Sequence, residues 1–67
     1  MVITVNGESV SLSDEPISIS SFLSSKGINS NTVVVELNRE IILRENYEVS
    51  FIKDKDILEI LRFVGGG

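Results

Sequence analysis

At 67 residues the chain makes one domain at most, with a core too small to share its volume with a deep active-site cleft. It has no cysteine and no histidine, which removes disulfides, thiol nucleophiles, imidazole bases and soft metal ligands. Its net charge of −4, with only six scattered Lys and Arg, argues against the clustered basic face that nucleic acid requires.

Residues 1–5 are β-branched and alternate, with Ile3 and Val5 on one side and Val2 and Thr4 on the other. Asn6-Gly7 follows, a strong hairpin signal because both residues tolerate positive φ. Residues 8–12 resume the alternation with Val10 and Leu12 inward, so the chain opens on a β-hairpin. "SDEPIS" is a loop, and Ser18 is placed to cap a helix over residues 19–26. Ile19, Phe22 and Leu23 form one apolar stripe on that helix, and Gly27 stops it with Ile28 as the hydrophobic cap contact. Four serines (Ser20, Ser21, Ser24 and Ser25) make the helix intrinsically weak, so packing on a sheet must hold it.

Residues 33–37 read as a strand with Val33, Val35 and Leu37 on one face and Val34 and Glu36 on the other. Asn38-Arg39 turns the chain, and residues 40–43 return. "RENYE" is a polar irregular or helical turn, "VSFI" a short apolar run and residues 53–56 a charged turn. Residues 57–64 form the last strand, with Leu58 and Ile60 toward the core and Ile57, Glu59, Leu61 and Phe63 on the other side. The order hairpin, helix, hairpin, strand fits an α+β domain of the β-grasp kind. A mixed sheet of four to five strands packs on one short helix, with the last strand running beside the first. The expected organisation is a domain over residues 1–64 and a flexible glycine tail, Gly65, Gly66 and Gly67. No apolar run is long enough to cross a bilayer and the start lacks the pattern of a signal peptide, so the expected location is the cytoplasm.

Nothing in this inventory makes an active site. Glu45 and Glu48, or Asp54 and Asp56, fall in turns and read as solvated charge rather than a catalytic pair. "DKD" lacks the remaining ligands and the glycine of a calcium loop. The helix serines have no base to activate them. The terminal glycines are no phosphate loop, because no helix follows them. Neither a bound cofactor nor a metal is therefore expected. The α-carboxylate of Gly67 is the remaining group: unreactive when ionised, it becomes an acyl donor if an ATP-dependent partner adenylates it. Three extended residues without side chains reach roughly 10 Å into a narrow channel. On the glycines alone, an ordinary frayed terminus fits equally well.

"VELNREI" and "RFVGGG", with the "VNGE" hairpin and the "SISSFLSSKGI" helix, resemble the ThiS family of sulfur carrier proteins over essentially the whole chain. Leu43 stands where that family often has proline before Arg44, and Lys55 where it often has glycine in a K-D-G-D turn. The resemblance implies a ubiquitin-like β-grasp and a carrier rather than an enzyme. A ThiF-like enzyme would use Mg-ATP to adenylate Gly67, and cysteine-derived sulfur would convert it to a thiocarboxylate. That group would serve a ThiG-like thiazole synthase in thiamine biosynthesis. A chain without cysteine has no side-chain thiol on which to carry sulfur, which agrees with a carbonyl attachment point. The expected docking residues are Leu61, Phe63, Val34 and Ile41 on the sheet face away from the helix, with Arg62 pairing to an acidic groove; Ile57 reads as ordinary surface. Two other readings stay open: a sulfur carrier for molybdopterin synthesis or tRNA thiolation, and a β-grasp interaction module with an inert tail.

Overall fold

Two asparagines set the tight turns around which the sheet is built. In the computed structural model, which describes residues 1–63, Asn6 and Gly7 have φ of 49° and 84°, and Asn38 and Arg39 have φ of 52° and 72°. Positive φ at both central positions is the turn whose twist matches a right-handed hairpin. The first turn joins β1 (Val2–Val5) to β2 (Glu8–Ser11), with Val5 opposite Glu8. Strand β3 (Ile17–Ser18) then leads into helix α1 (Ile19–Ser25). The second turn joins β4 (Val33–Leu37) to β5 (Glu40–Ile42), with Leu37 opposite Glu40. Two more strands complete the set, β6 (Phe51–Ile52) and β7 (Ile57–Arg62).

The main sheet has the order β2-β1-β7-β4-β5. Strand β7 runs parallel to β1 and antiparallel to β4, so the last strand lies between the two hairpins, beside the first strand as the element order implied. Its pairing with β1 is short, at Thr4 with Ile57 and Val5 with Leu58. Asn6 extends it with its side chain. The carboxamide Oδ1 accepts from the Ile60 N–H at 2.7 Å, and Nδ2 donates to the Ile60 carbonyl at 3.2 Å. One asparagine thus makes the turn and continues the ladder where β1 has already left.

The helix covers one face of this sheet. Ser18 caps it, its Oγ accepting from the Ser21 N–H at 3.0 Å. The far end closes by a Schellman arrangement: Ile28 N–H donates to the Leu23 carbonyl at 2.9 Å and Gly27 N–H to Ser24 at 3.0 Å, with Gly27 at φ 69°. Ile19, Phe22 and Leu23 are buried against Ile3, Val33, Val35 and Leu58. Full burial of such side chains stabilises by about 1.5–3 kcal/mol each, which outweighs the poor helix propensity of the serines.

Several expectations shift by a residue or two. The helix ends at Ser25, with Lys26 as its cap, and β5 ends at Ile42. "VSFI" supplies only Phe51–Ile52, which pairs with Ile17–Ser18 as a small second sheet that periodicity did not reveal. β7 ends at Arg62, and Phe63 follows it with its N–H donated to the Thr32 carbonyl at 2.9 Å. The end of the expected strand at Val64, the glycine tail and the boundary between domain and tail lie outside the described residues. No helix among the described residues is long and apolar enough to cross a membrane.

The turn before β7 explains one of the two departures noted in the sequence. Lys55 has φ 70°, a conformation that costs a side-chain-bearing residue roughly 1–2 kcal/mol. Glycine adopts it freely. The turn is nonetheless tied, with Lys55 N–H on the Val2 carbonyl at 2.7 Å and Asp56 Oδ2 accepting from Lys53 N–H at 2.7 Å. Lys55→Gly is expected to stabilise the domain by about 1 kcal/mol, raising Tm by roughly 4–8 °C in a scanning calorimeter. An unchanged or lower Tm would mean that the strain is already relieved elsewhere. Leu43 has φ −68° and ψ 143°, values that proline also adopts, so this departure leaves the backbone path open to either residue.

Candidate functional site

Strand alternation and the central place of β7 decide which side chains share the sheet face away from the helix. Leu58 and Ile60 point to the helix side, so Ile57, Glu59, Leu61 and Phe63 fall on the other parity. Leu61 lies directly opposite Val34 on β4, and Ile41 on β5 directly opposite Glu36. Leu61, Phe63 and Ile41 are about half or more exposed, at 53%, 55% and 65%, while Val34 is half-buried between its neighbours. Four of the five expected docking residues therefore share the uncovered face of one sheet: Ile41 on β5, Val34 on β4, Leu61 on β7 and Phe63 just after it.

Arg62 does not join them. It is the cross-strand partner of buried Val33 and shares the parity of Leu58 and Ile60, so it leaves the sheet on the helix side, exposed at the strand end. Ile57 is on the same uncovered face but at the start of β7, opposite Thr4. Leu43, 57% exposed, directly follows β5 and adds a further exposed apolar side chain at that end of the strand.

The same face carries two carboxylates. Glu36 and Glu59 stand directly opposite each other on β4 and β7. They form the row next to Val34 and Leu61, with Ile41 at its β5 end. Among the described residues the one ion pair is elsewhere, between the Met1 ammonium and Asp14 Oδ1 at 2.7 Å. That hydrogen bond and the attached positive charge hold the Asp14 carboxyl below its ordinary value.

Chemistry internal to the domain finds no support in the geometry. Among the described residues no three Asp or Glu come together as a metal site. A groove of about 400 Å³ lies between Met1, Pro16, Phe51, Ile52 and Asp54. It sits at the start of β7, with a six-residue strand of roughly 20 Å between it and Phe63. Tyr47, which sequence reading left in a polar turn, is a core residue, 4% exposed. Gly65, Gly66 and Gly67 lie outside the described residues; the strand that precedes them, β7, is held on both sides up to Ile60 and on the β4 side to Phe63.

Comparison with known proteins agrees over the whole length. The family model described as "ThiS family" matches residues 1–67. The sulfur carrier protein ThiS of Bacillus subtilis (strain 168) is 36% identical over 66 residues, covering 98% of this chain and all of that one. A thiazole synthase of Paramagnetospirillum magneticum is 36% identical over 67 residues, covering all of this chain but 20% of that protein. In the crystal structure of the thiamine biosynthesis protein ThiS from Geobacter metallireducens, the fold superposes with a TM-score of 0.87 at 35% identity over 100% of both chains.

Proposed function

This chain belongs to the ThiS family, and we propose that its working group is the terminal carboxylate of Gly67. Membership makes it a sulfur carrier of thiamine biosynthesis rather than a catalyst, with the β-grasp as its body. In the proposed cycle a ThiF-like enzyme uses Mg-ATP to form an acyl-adenylate at Gly67, releasing pyrophosphate. Cysteine-derived persulfide sulfur, reduced to hydrosulfide by two thiols that become a disulfide, then attacks the carbonyl carbon. The C–S bond forms as the C–O bond to AMP breaks, and a thiocarboxylate remains. A ThiG-like thiazole synthase takes the sulfur for the ring it builds from deoxyxylulose phosphate and a glycine-derived imine, and Gly67 returns to a carboxylate.

The observation that carries this reading is likeness to a ThiS of known fold across the full chain, with no internal site competing for the chemistry among the described residues. The synthase as partner is supported by the thiazole synthase in which a stretch like this chain makes up 20% of the protein. Incubation with the adenylating enzyme, Mg-ATP, a desulfurase, cysteine and a thiol reductant tests the reading. Intact-mass measurement should find one oxygen replaced by one sulfur, located on the C-terminal peptide.

The sheet face supplies the docking surface. Leu61→Thr puts a strand-favouring β-branched residue in β7 while removing apolar area beside Val34. It is expected to weaken synthase binding about tenfold while altering stability by no more than about 0.5 kcal/mol. Unchanged affinity in a calorimetric titration would remove Leu61 from the interface.

A further inference from the structure

The two carboxylates of the docking face constrain what can cover it. Glu36 and Glu59 oppose each other across β4 and β7, and like charges so placed work against the sheet. No Lys or Arg forms a salt bridge with either of them among the described residues. They lie within the apolar face rather than at its margin. Val34, Leu61 and Phe63 are on the side toward the end of β7, Ile41 at the β5 end, and Ile57 on the side toward the start of β7. A partner that seats on Leu61 and Ile41 therefore cannot avoid covering the pair.

Covering two carboxylates with apolar surface alone strips their hydration without replacement. A second copy of this chain meeting the first face to face would gather four carboxylates in one apolar interface. Both occupants are disfavoured by the same charge, and the chain as a whole carries −4. An apolar surface with a cationic side chain at its centre satisfies all of these conditions. An arginine fits best, because its planar fork can donate to both carboxylates at once.

Resting on the carrier reading above, we propose that Glu36 and Glu59 form the electrostatic key of the docking face, receiving an arginine or lysine from an otherwise apolar patch of the thiazole synthase. The pair admits the cationic partner and keeps free carrier chains apart. It gives up some sheet stability in return, since two facing carboxylates are retained in adjacent strands where neutral residues would pair better.

The test is titration of the thiazole synthase with the full-length chain and with E36Q, E59Q and E36Q/E59Q at several salt concentrations. The double variant should bind roughly 30-fold or more weakly and show a flatter salt dependence, because the synthase's cation is left buried without its counter-charge. Each single variant should fall between, so the inference remains testable if the double variant were poorly folded. Tm of the variants should equal or exceed that of the unsubstituted chain. Affinity and salt dependence unchanged in all three would overturn the proposal, as would tighter binding. Binding lost only toward the adenylating enzyme would overturn the choice of partner. Sulfur loading of Gly67, read separately by mass, divides the two ideas. A chain that accepts sulfur but binds the synthase without regard to Glu36 and Glu59 loses the key and keeps the carrier role. A chain that binds through them but never accepts sulfur does the reverse.

Discussion

Deletion of Gly67 is expected to abolish thiocarboxylate formation while leaving the fold intact. The chemistry requires a carboxylate at one place in a partner's channel. Removing one residue draws it back by roughly 3.5 Å, more than the misplacement of about 1 Å that can cost a hundredfold in rate. The loss should therefore exceed a hundredfold and fall to background in the mass assay. Stability should not change, because the buried residues of the described core run from Ile3 to Leu58. Equal Tm with no sulfur uptake is the expected pair of results. A truncated chain that still gains sulfur would reject Gly67 as the attachment point, and a collapsed Tm would show that the tail has a structural part. Gly67→Ala makes a finer comparison. It keeps the length but adds a Cβ, so partial loss would report the width of the channel and full activity would show that room for a methyl group exists.

Much of this fold could be read from residues because its signals are local. Asn6-Gly7 and Asn38-Arg39 dictate hairpins through backbone conformation, and both asparagines adopt the positive φ those turns need. Ser18, the apolar stripe and Gly27 fix a helix within a residue of its observed end. That β7 lies beside β1 followed from element order, not from any period, and its parallel direction came only with the structure. What was hidden depends on register and distance along the chain. The pairing of Ile17–Ser18 with Phe51–Ile52 joins two segments that are each too short to alternate. Tyr47 is buried although its neighbours are polar, because the turn that carries it closes over the helix start, its carbonyl accepting from the Ser20 N–H at 3.0 Å. In the site, alternation gave the right face for Val34, Glu36, Glu59 and Leu61, yet it could not place Glu36 opposite Glu59. Arg62 was grouped with Leu61 and Phe63 by nearness in sequence, and the two-residue period sends it to the other face.

Phe22→Ala is expected to unfold the domain at 25 °C. Phe22 is 1% exposed, the largest of the fully buried side chains, and it fastens a seven-residue helix rich in serine to the sheet. A helix of that length and composition has no stability of its own. Truncating a buried phenylalanine typically costs about 3–5 kcal/mol, and a single core of this size rarely supplies more than about 3–5 kcal/mol in total. The two figures meet, so the native state loses its margin. Circular dichroism should lose the cooperative thermal transition, and urea titration should begin without a native baseline. Phe22→Leu is the control. It keeps the site apolar at a cost of about 1 kcal/mol and should leave a cooperative transition at lower Tm. The functional consequence separates this variant from the tail deletion. With the helix released, nothing holds β7 and β4 in register, so the docking face is lost even though Gly67 is present. Sulfur uptake should fall for Phe22→Ala because the partner has no surface to recognise, and for the deletion because it has no group to activate. A Phe22→Ala chain that takes up sulfur normally while showing no folded transition would mean that the tail is read as an unstructured peptide, and that the β-grasp body is dispensable for the first step.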